Sequence, residues 1–163
     1  MFPTLYNFSL SNVDKNFVVM PESSIVVNGT RLTSQLSSDV VNPYVWSFKN
    51  GYIIHTPSGK YISAMGDGIV NLTLQDKLDN SSFQLFHINH ETGRIFKKDT
   101  NFVFDFTGGS AQLGTVVQMW MNHNDNSDLP QKFNITYKLN TTTVLLYIIL
   151  LAIVVFLLKR FIK

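Results

Sequence analysis

The sequence predicts an all-β domain of three repeated units, followed by one apolar C-terminal helix. Three observations lead to this prediction: short runs rich in β-branched and aromatic residues, turn residues that separate these runs at intervals of about 8 to 12 residues, and an uninterrupted apolar stretch near the end of the chain. No segment before Thr141 has a convincing helical period. Many short strands with frequent turns are typical of a sandwich or a barrel.

The predicted strands are distributed along the first part of the chain. They comprise residues 17–19, 24–27, 52–55, 61–63, 83–86, 102–106 and 116–120. Gly, Asn, Asp and Ser lie between them, and these residues are favoured in turns.

Internal repeats distinguish between a sandwich and a barrel. An aromatic-x-apolar triplet recurs at residues 46–48, 83–85 and 133–135, and each triplet is preceded at a similar distance by a glycine, namely Gly29, Gly68 and Gly114. This pattern predicts three units of about 40 residues. We therefore expect a β-trefoil, in which each unit supplies four strands and a share of one common core.

The apolar stretch begins at Val144 and ends at Leu158, and it contains no charged residue, Gly or Pro. With the threonines before it, a helix of about 18 residues would rise about 27 Å, close to a bilayer's hydrocarbon thickness. Lys159, Arg160 and Lys163 follow it. The sequence thus predicts a trefoil domain at 1–137, a stalk at 138–143 and a transmembrane helix with a basic tail at 144–163. The alternative, a buried core helix, would need a much larger partner to cover it.

Charge and composition exclude several classes of function. The formal net charge is +2 and the pI is about 8.8, but without the basic tail the remaining charge is near −1. No basic stripe is left to predict a nucleic-acid partner. Cysteine is absent, which excludes disulfides and thiolate chemistry. No metal site or cofactor is predicted: the four histidines are scattered, and no nucleophile elbow or phosphate-binding loop is present. We expect no catalysis.

In the third unit, residues 93–135, Asp105 is followed by a glycine-rich turn, by Gly-Thr-x-Val-Gln-x-Trp at 114–120 and by Gln-x-Phe at 131–133. This pattern resembles that of the ricin-type β-trefoil lectins. The resemblance implies a carbohydrate site, for which the candidate residues are Asp105, Gln118, Trp120, Asn122 and Gln131. The chain departs from the pattern where Pro130 precedes Gln131, and its polar loop is one residue longer.

The chemistry of these residues also favours a sugar ligand. A pyranose has hydroxyl groups at its rim and an apolar C–H face, so it needs a fixed acceptor and a flat ring. Asp105 can accept two charge-assisted hydrogen bonds, and Trp120 offers an apolar surface. The alternatives are that Asp105 caps a turn and that Trp120 belongs to the core.

Two functions are therefore predicted. The first is a membrane-anchored lectin-like module that binds galactose-type glycans through its third unit, and the second is a non-catalytic assembly module that docks another protein of a membrane complex. The expected partners are a lipid bilayer and a glycan or glycoprotein.

The sequence contains opposing signals for the side of the membrane on which the β-rich domain lies. A C-terminal span without a signal peptide favours a cytosolic domain. The basic tail and six possible N-glycosylation sequons favour an exterior one, for which a viral envelope is the setting suggested by analogy. The sequons begin at Asn7, Asn28, Asn71, Asn80, Asn134 and Asn140.

Overall fold

A computed structural model describes residues 6–79, 81–123, 129–139 and 141–161. In this part the chain forms short β-strands, a few single-turn 3-10 helices and one C-terminal α-helix. The elements are β1 (Tyr6–Ser11), β2 (Phe17–Pro21), β3 (Thr30–Leu36), β4 (Trp46–Lys49), β5 (Tyr52–His55), β6 (Lys60–Ser63), β7 (Val70–Asn71), β8 (Thr73–Gln75), β9 (Phe86–Asn89), β10 (Arg94–Lys97), β11 (Phe102–Phe106), β12 (Val117–Met121), β13 (Asn134–Leu139) and α1 (Thr141–Phe161).

The strands fall into three consecutive groups that match the predicted units. Strands β1 to β4 form the first unit, β5 to β9 the second and β10 to β13 the third. In the second unit, the short strands β7 and β8 together occupy the position of one strand. They hydrogen-bond into an eight-stranded sheet, β13-β1-β2-β3-β8-β6-β5-β4, and a five-stranded sheet, β7-β12-β11-β10-β9. The first and last strands pair along their length, from Tyr6 opposite Leu139 to Ser11 opposite Asn134, and so join the two ends of the domain.

One hydrophobic core is shared by all three units. Alternation along each strand places apolar side chains on the inner face. In β11, for example, Phe104 and Phe106 are buried in the core, and both pack against the ring of Phe133. Trp46 of the first unit is fully buried and donates its indole Nε1–H to the carbonyl oxygen of Val19 over 3.0 Å. A core built in this way fixes the positions of the outward-facing residues between the apolar ones.

Two predicted strands differ from the structure. Residues 24–25 lie in a bend and residues 26–27 have no regular secondary structure, so no strand forms there. Residues 82–84 form a 3-10 turn capped by the Ser81 side chain, so that β9 begins only at Phe86. The residue of the second unit that corresponds to Phe133 is therefore Phe86, and not Phe83 as predicted. The N–H of Phe86 donates to the Gly51 carbonyl over 2.7 Å, just as that of Phe133 donates to Gly93 over 2.9 Å.

The predicted membrane anchor is wrong. Helix α1 spans Thr141–Phe161, so it also contains the polar Thr141, Thr142 and Thr143 at its start and the basic Lys159 and Arg160 near its end. Among the residues that the structure describes, no helix is both long enough and apolar enough to cross a membrane. The C-terminally anchored localisation expected from this run, outside a membrane or on a virion surface, is overturned with it.

The boundary between the domain and the predicted stalk also differs. Strand β13 continues to Leu139 and therefore enters the segment 138–143 that was predicted as a stalk. Lys138 pairs with Asn7 of β1, and its Nζ lies 5.4 Å from the centre of the Tyr44 ring. In α1, those side chains whose burial is described are exposed or half-buried.

Candidate functional site

Strands β11 and β12 bring three of the predicted site residues onto one face of the sheet. The two strands are antiparallel, with Asp105 directly opposite Gln118 and Val103 directly opposite Trp120. Residues opposite each other on antiparallel strands project from the same face. Because Phe104 and Met119 occupy the inner face, Asp105, Gln118 and Trp120 lie on the outer one.

These three residues line a cleft of about 460 Å³ on the outer face. Its other walls come from the turn after β11 and from the segment before β13. The lining residues are Asp105, Thr107, Gly108, Gly109, Gln118, Trp120, His123, Pro130 and Gln131. Gly108 and Gly109 adopt positive φ of 78° and 79°, which L-residues with side chains rarely adopt. At these two positions the cleft is bordered by backbone, next to Thr107 of the same turn.

At the base of the cleft, Asp105 and Gln118 interact directly. Gln118 Nε2 donates to Asp105 Oδ1 over 3.4 Å, and each residue is only 7% exposed. A carboxylate accepts several hydrogen bonds, so Asp105 can interact with more than one donor.

Trp120 forms one side of the cleft, and its ring is held by a neighbour. Its Nε1–H donates to Nε2 of His123 over 3.1 Å. The indole is half-buried and the imidazole is exposed at the rim. His123 is a site residue that the sequence pattern did not predict, because it is one of four scattered histidines. Its position three residues after Trp120, just beyond the end of β12, was the available signal.

Gln131 lies at the back of the cleft and is fully buried. Its Nε2 donates to the carbonyl oxygen of Met121 over 2.9 Å, and its Oε1 accepts from the backbone N–H of His123 over 3.2 Å. The side chain thus holds the segment that carries His123. Gln131 therefore positions the cleft wall and uses its amide for that purpose.

Asn122 is not brought into the cleft with the other predicted residues. Its Nδ2 donates to Asn101 Oδ1 over 3.4 Å, and its backbone N–H donates to the Asn101 carbonyl over 2.8 Å. It is absent from the residues that line the cleft. The rest of the polar loop that could contact a ligand, residues 124–128, falls outside the described part of the chain.

The first and second units lack the corresponding carboxylate. In the second unit Ser63 lies opposite Thr73, as Asp105 lies opposite Gln118 in the third. Ser63 is fully buried and its Oγ accepts a hydrogen bond from Gln84 Nε2 over 2.8 Å. Strand β2, which takes the place of β11 in the first unit, contains no acidic residue. The candidate site is therefore confined to the third unit.

Four of the predicted sequon asparagines lie in the described part of the chain. Asn28 Nδ2 donates to Asp76 Oδ2 over 2.7 Å, and its Oδ1 accepts from Lys60 Nζ over 2.9 Å. Asn134 Nδ2 donates to the carbonyl oxygens of Asn12 and Val13. Asn7 is half-buried on β1, and Asn71 is exposed on β7. Asn80 and Asn140 fall outside the described residues. Whether any of them carries a glycan stays a prediction.

Other clefts occur among the described residues, and one of about 320 Å³ is lined by polar side chains that include His90, Glu91, Lys132 and Asn134. A larger cavity of about 710 Å³ lies between the β4–β5 turn, β9 and β10, where Phe48, Leu85 and Phe96 form much of its wall. Within residues 6–79, 81–123, 129–139 and 141–161, no group of three or more His, Cys, Asp and Glu side chains could hold a metal ion.

Comparison with solved structures identifies several similar folds. The chain superimposes on the C-half of an earthworm R-type lectin in complex with N-acetylgalactosamine with a TM-score of 0.66 and 17% identity, covering 83% of this chain and 100% of that one. The Macrolepiota procera ricin B-like lectin in complex with lactose superimposes with a TM-score of 0.63 and 21% identity, covering 83% of this chain and 97% of that one. The Vibrio vulnificus hemolysin/cytolysin β-trefoil lectin with N-acetyl-D-lactosamine bound superimposes with a TM-score of 0.58 and 11% identity, covering 83% of this chain and 96% of that one.

These likenesses confirm the predicted β-trefoil and the resemblance of its fold to ricin-type lectins. At such low identities the likeness concerns the fold and does not by itself assign a ligand. No protein-family profile matches the chain, and no curated protein matches it in sequence.

Proposed function

We propose that the chain is a carbohydrate-binding module that takes a galactose-type sugar in the cleft of its third unit. Asp105 accepts hydrogen bonds from neighbouring hydroxyl groups, and the Trp120 ring covers the apolar face of the pyranose. Gln118 orients the carboxylate, while His123 and Gln131 hold the cleft wall. No residue is assigned a catalytic role.

The observation that carries this proposal is the pairing of a fixed carboxylate with a fixed indole in one cleft. Asp105 is buried against Gln118, and the Trp120 ring is anchored through Nε1 to His123. Both groups are thus oriented before a ligand arrives, which reduces the entropy lost on binding. A carboxylate favours hydroxyl groups, and an indole favours a flat C–H surface, so the pair matches a pyranose.

The ligands of similar structures support a galactose-type sugar. The earthworm lectin is in complex with N-acetylgalactosamine and the Macrolepiota procera lectin with lactose. Both ligands present a galactose-type ring. Binding at one shallow site is expected to be weak, at about millimolar Kd, or roughly −4 kcal/mol.

The test is an NMR titration of the full chain with galactose and N-acetylgalactosamine, with glucose and mannose as comparison sugars. Signals from Asp105, Trp120 and His123 should shift in a saturable way with the galactose-type sugars. Shifts that are equal for all four sugars would refute galactose specificity.

The absence of any response at high sugar concentration, together with an unreactive glycan array, would refute carbohydrate binding. The trefoil would then be a docking module for another protein, which is the second function that the sequence predicts. In that case the surface around the cleft would have to be mapped with a protein partner.

A further inference from the structure

A residue of the second unit lies in the same row as the candidate site. Strand β7 pairs with β12 so that Asn71 is directly opposite Gln118, and Gln118 is in turn opposite Asp105 on β11. Cross-strand partners project from the same face, so the side chains of Asp105, Gln118 and Asn71 form one row on the outer surface. Nothing in the sequence of the third unit indicates this third member.

Asn71 differs from the other two residues of the row because it is exposed. Within the described residues its carboxamide makes no hydrogen bond to another protein group. Neighbouring strands lie about 4.8 Å apart, so Asn71 is about one strand spacing beyond Gln118 and about two beyond Asp105. If the terminal sugar ring of an oligosaccharide is bound at Asp105, the next sugar ring of that oligosaccharide is therefore within reach of Asn71.

The direction of this extension is set by the sheet. Strand β7 is the edge strand, and β11 is flanked on its other side by β10. The described cleft walls at Gly108, Pro130 and His123 border the remaining sides. Beyond Asn71 the five-stranded sheet has no further strand, so a ligand that extends from the cleft along the row reaches the edge of this sheet.

We propose that Asn71 forms a second subsite that selects a disaccharide over a monosaccharide. This inference rests on the proposed carbohydrate function: the terminal galactose-type ring occupies the cleft, and the Asn71 carboxamide hydrogen-bonds to hydroxyl groups of the adjoining ring. An amide supplies both donors and an acceptor, which suits a hydroxyl-rich surface.

The test compares the affinities of the full chain for methyl galactoside and for lactose, measured by ligand-observed NMR. The protein is produced in bacteria so that the sequon at Asn71 carries no glycan. The unaltered chain is expected to bind lactose about fivefold more tightly, as expected for one or two added hydrogen bonds. Asn71→Ala should remove this preference and leave the affinity for methyl galactoside unchanged.

Asn16→Ala is the matched control, because Asn16 is also exposed but lies in the β1–β2 turn, outside the five-stranded sheet. It should leave both affinities and their ratio unchanged, and both variants should keep the melting temperature of the unaltered chain. A preference for lactose that persists in Asn71→Ala, or equal affinities for the two sugars in the unaltered chain, would overturn the subsite alone. Absence of binding to either sugar would overturn the proposed function and the subsite together.

Discussion

The indole Nε1 of Trp120 donates a hydrogen bond to Nε2 of His123 over 3.1 Å, at the rim of the cleft in the third unit. A ring nitrogen that accepts a hydrogen bond carries no proton, so the contact requires a neutral imidazole. Gln131 in turn accepts from the backbone N–H of His123. The stacking surface of the candidate site is therefore held by residues that need not touch the sugar.

His123→Ala is expected to weaken galactose binding by roughly three- to tenfold, since it removes one hydrogen bond that orients the Trp120 ring. Trp120→Ala should abolish measurable binding, because it removes the stacking surface itself. NMR titration with galactose measures both effects. His87→Ala is the control, since His87 is exposed on β9 and does not line this cleft. Equal losses in His123→Ala and His87→Ala would contradict the proposed role.

Asp105→Asn should abolish sugar binding, because it removes the charge that strengthens hydrogen bonds to hydroxyl groups. The structure shows that Asp105 is only 7% exposed and paired with Gln118. A loss of about 1 kcal/mol in stability is therefore expected as well, and it does not argue against the site.

Melting temperature and galactose titration on the same Asp105→Asn sample separate these two effects. Asp14→Asn is the matched control, since Asp14 is exposed in the β1–β2 turn and should change neither quantity. Full retention of galactose affinity in a folded Asp105→Asn variant would exclude Asp105 from sugar binding.

Gln131 and Gln84 offer a further comparison, because both are fully buried and end a 3-10 turn. The Gln84 side chain accepts a hydrogen bond from the Leu78 N–H and donates one to the Asp76 carbonyl oxygen, each over 2.8 Å. The Gln131 side chain likewise accepts from the His123 N–H and donates to the Met121 carbonyl oxygen. Replacing either glutamine by alanine leaves partly buried backbone groups without these partners and should destabilise the domain by about 1 to 3 kcal/mol.

Only Gln131→Ala is also expected to weaken galactose binding, because only Gln131 holds the segment that carries His123. Chemical denaturation and galactose titration of the two variants provide the measurements. Similar sugar affinities in both folded variants would show that Gln131 acts on the fold without affecting the site.

Several strands could be predicted because their apolar alternation is unambiguous. The predicted strands at 52–55 and 102–106 coincide with β5 and β11. The second unit was misaligned because the aromatic-x-apolar triplet fits at two positions: Phe83 starts such a triplet, whereas the buried core residue is Phe86. The Gln-x-Phe pattern shared by Gln84 and Gln131 would have given the correct alignment.

The site was predictable where its residues share one hairpin. Asp105, Gln118 and Trp120 lie on adjacent strands, so spacing and the family resemblance together place them on one face. Asn71 could not be inferred in the same way, because its pairing with Gln118 joins two different units. Such long-range pairing depends on how the units close around the core, which no local pattern encodes.

His55 makes stability depend on pH through burial. His55 is only 5% exposed. The centre of its ring lies 5.3 Å from that of Trp46, and its Nδ1 lies 2.8 Å from Ser58 Oγ. Burial disfavours the charged imidazolium and lowers the pKa of His55 below 6.5, its ordinary value. At pH values between the lowered pKa of the folded state and 6.5, His55 binds more protons in the unfolded chain than in the folded chain.

Stability therefore increases with pH across this window. The contribution of His55 is fully present above about pH 6.5, declines as the pH falls below that value, and stops changing below the pKa of the folded state. Free energies of unfolding measured by urea denaturation between pH 8 and pH 5 should show this decline in the unaltered chain. His55→Gln removes the titrating ring and should show a shallower decline, whereas His87→Ala, which removes an exposed imidazole, should retain it. If the slopes of the unaltered chain and of His55→Gln were the same between pH 6.5 and pH 5, another group would have to account for the pH dependence.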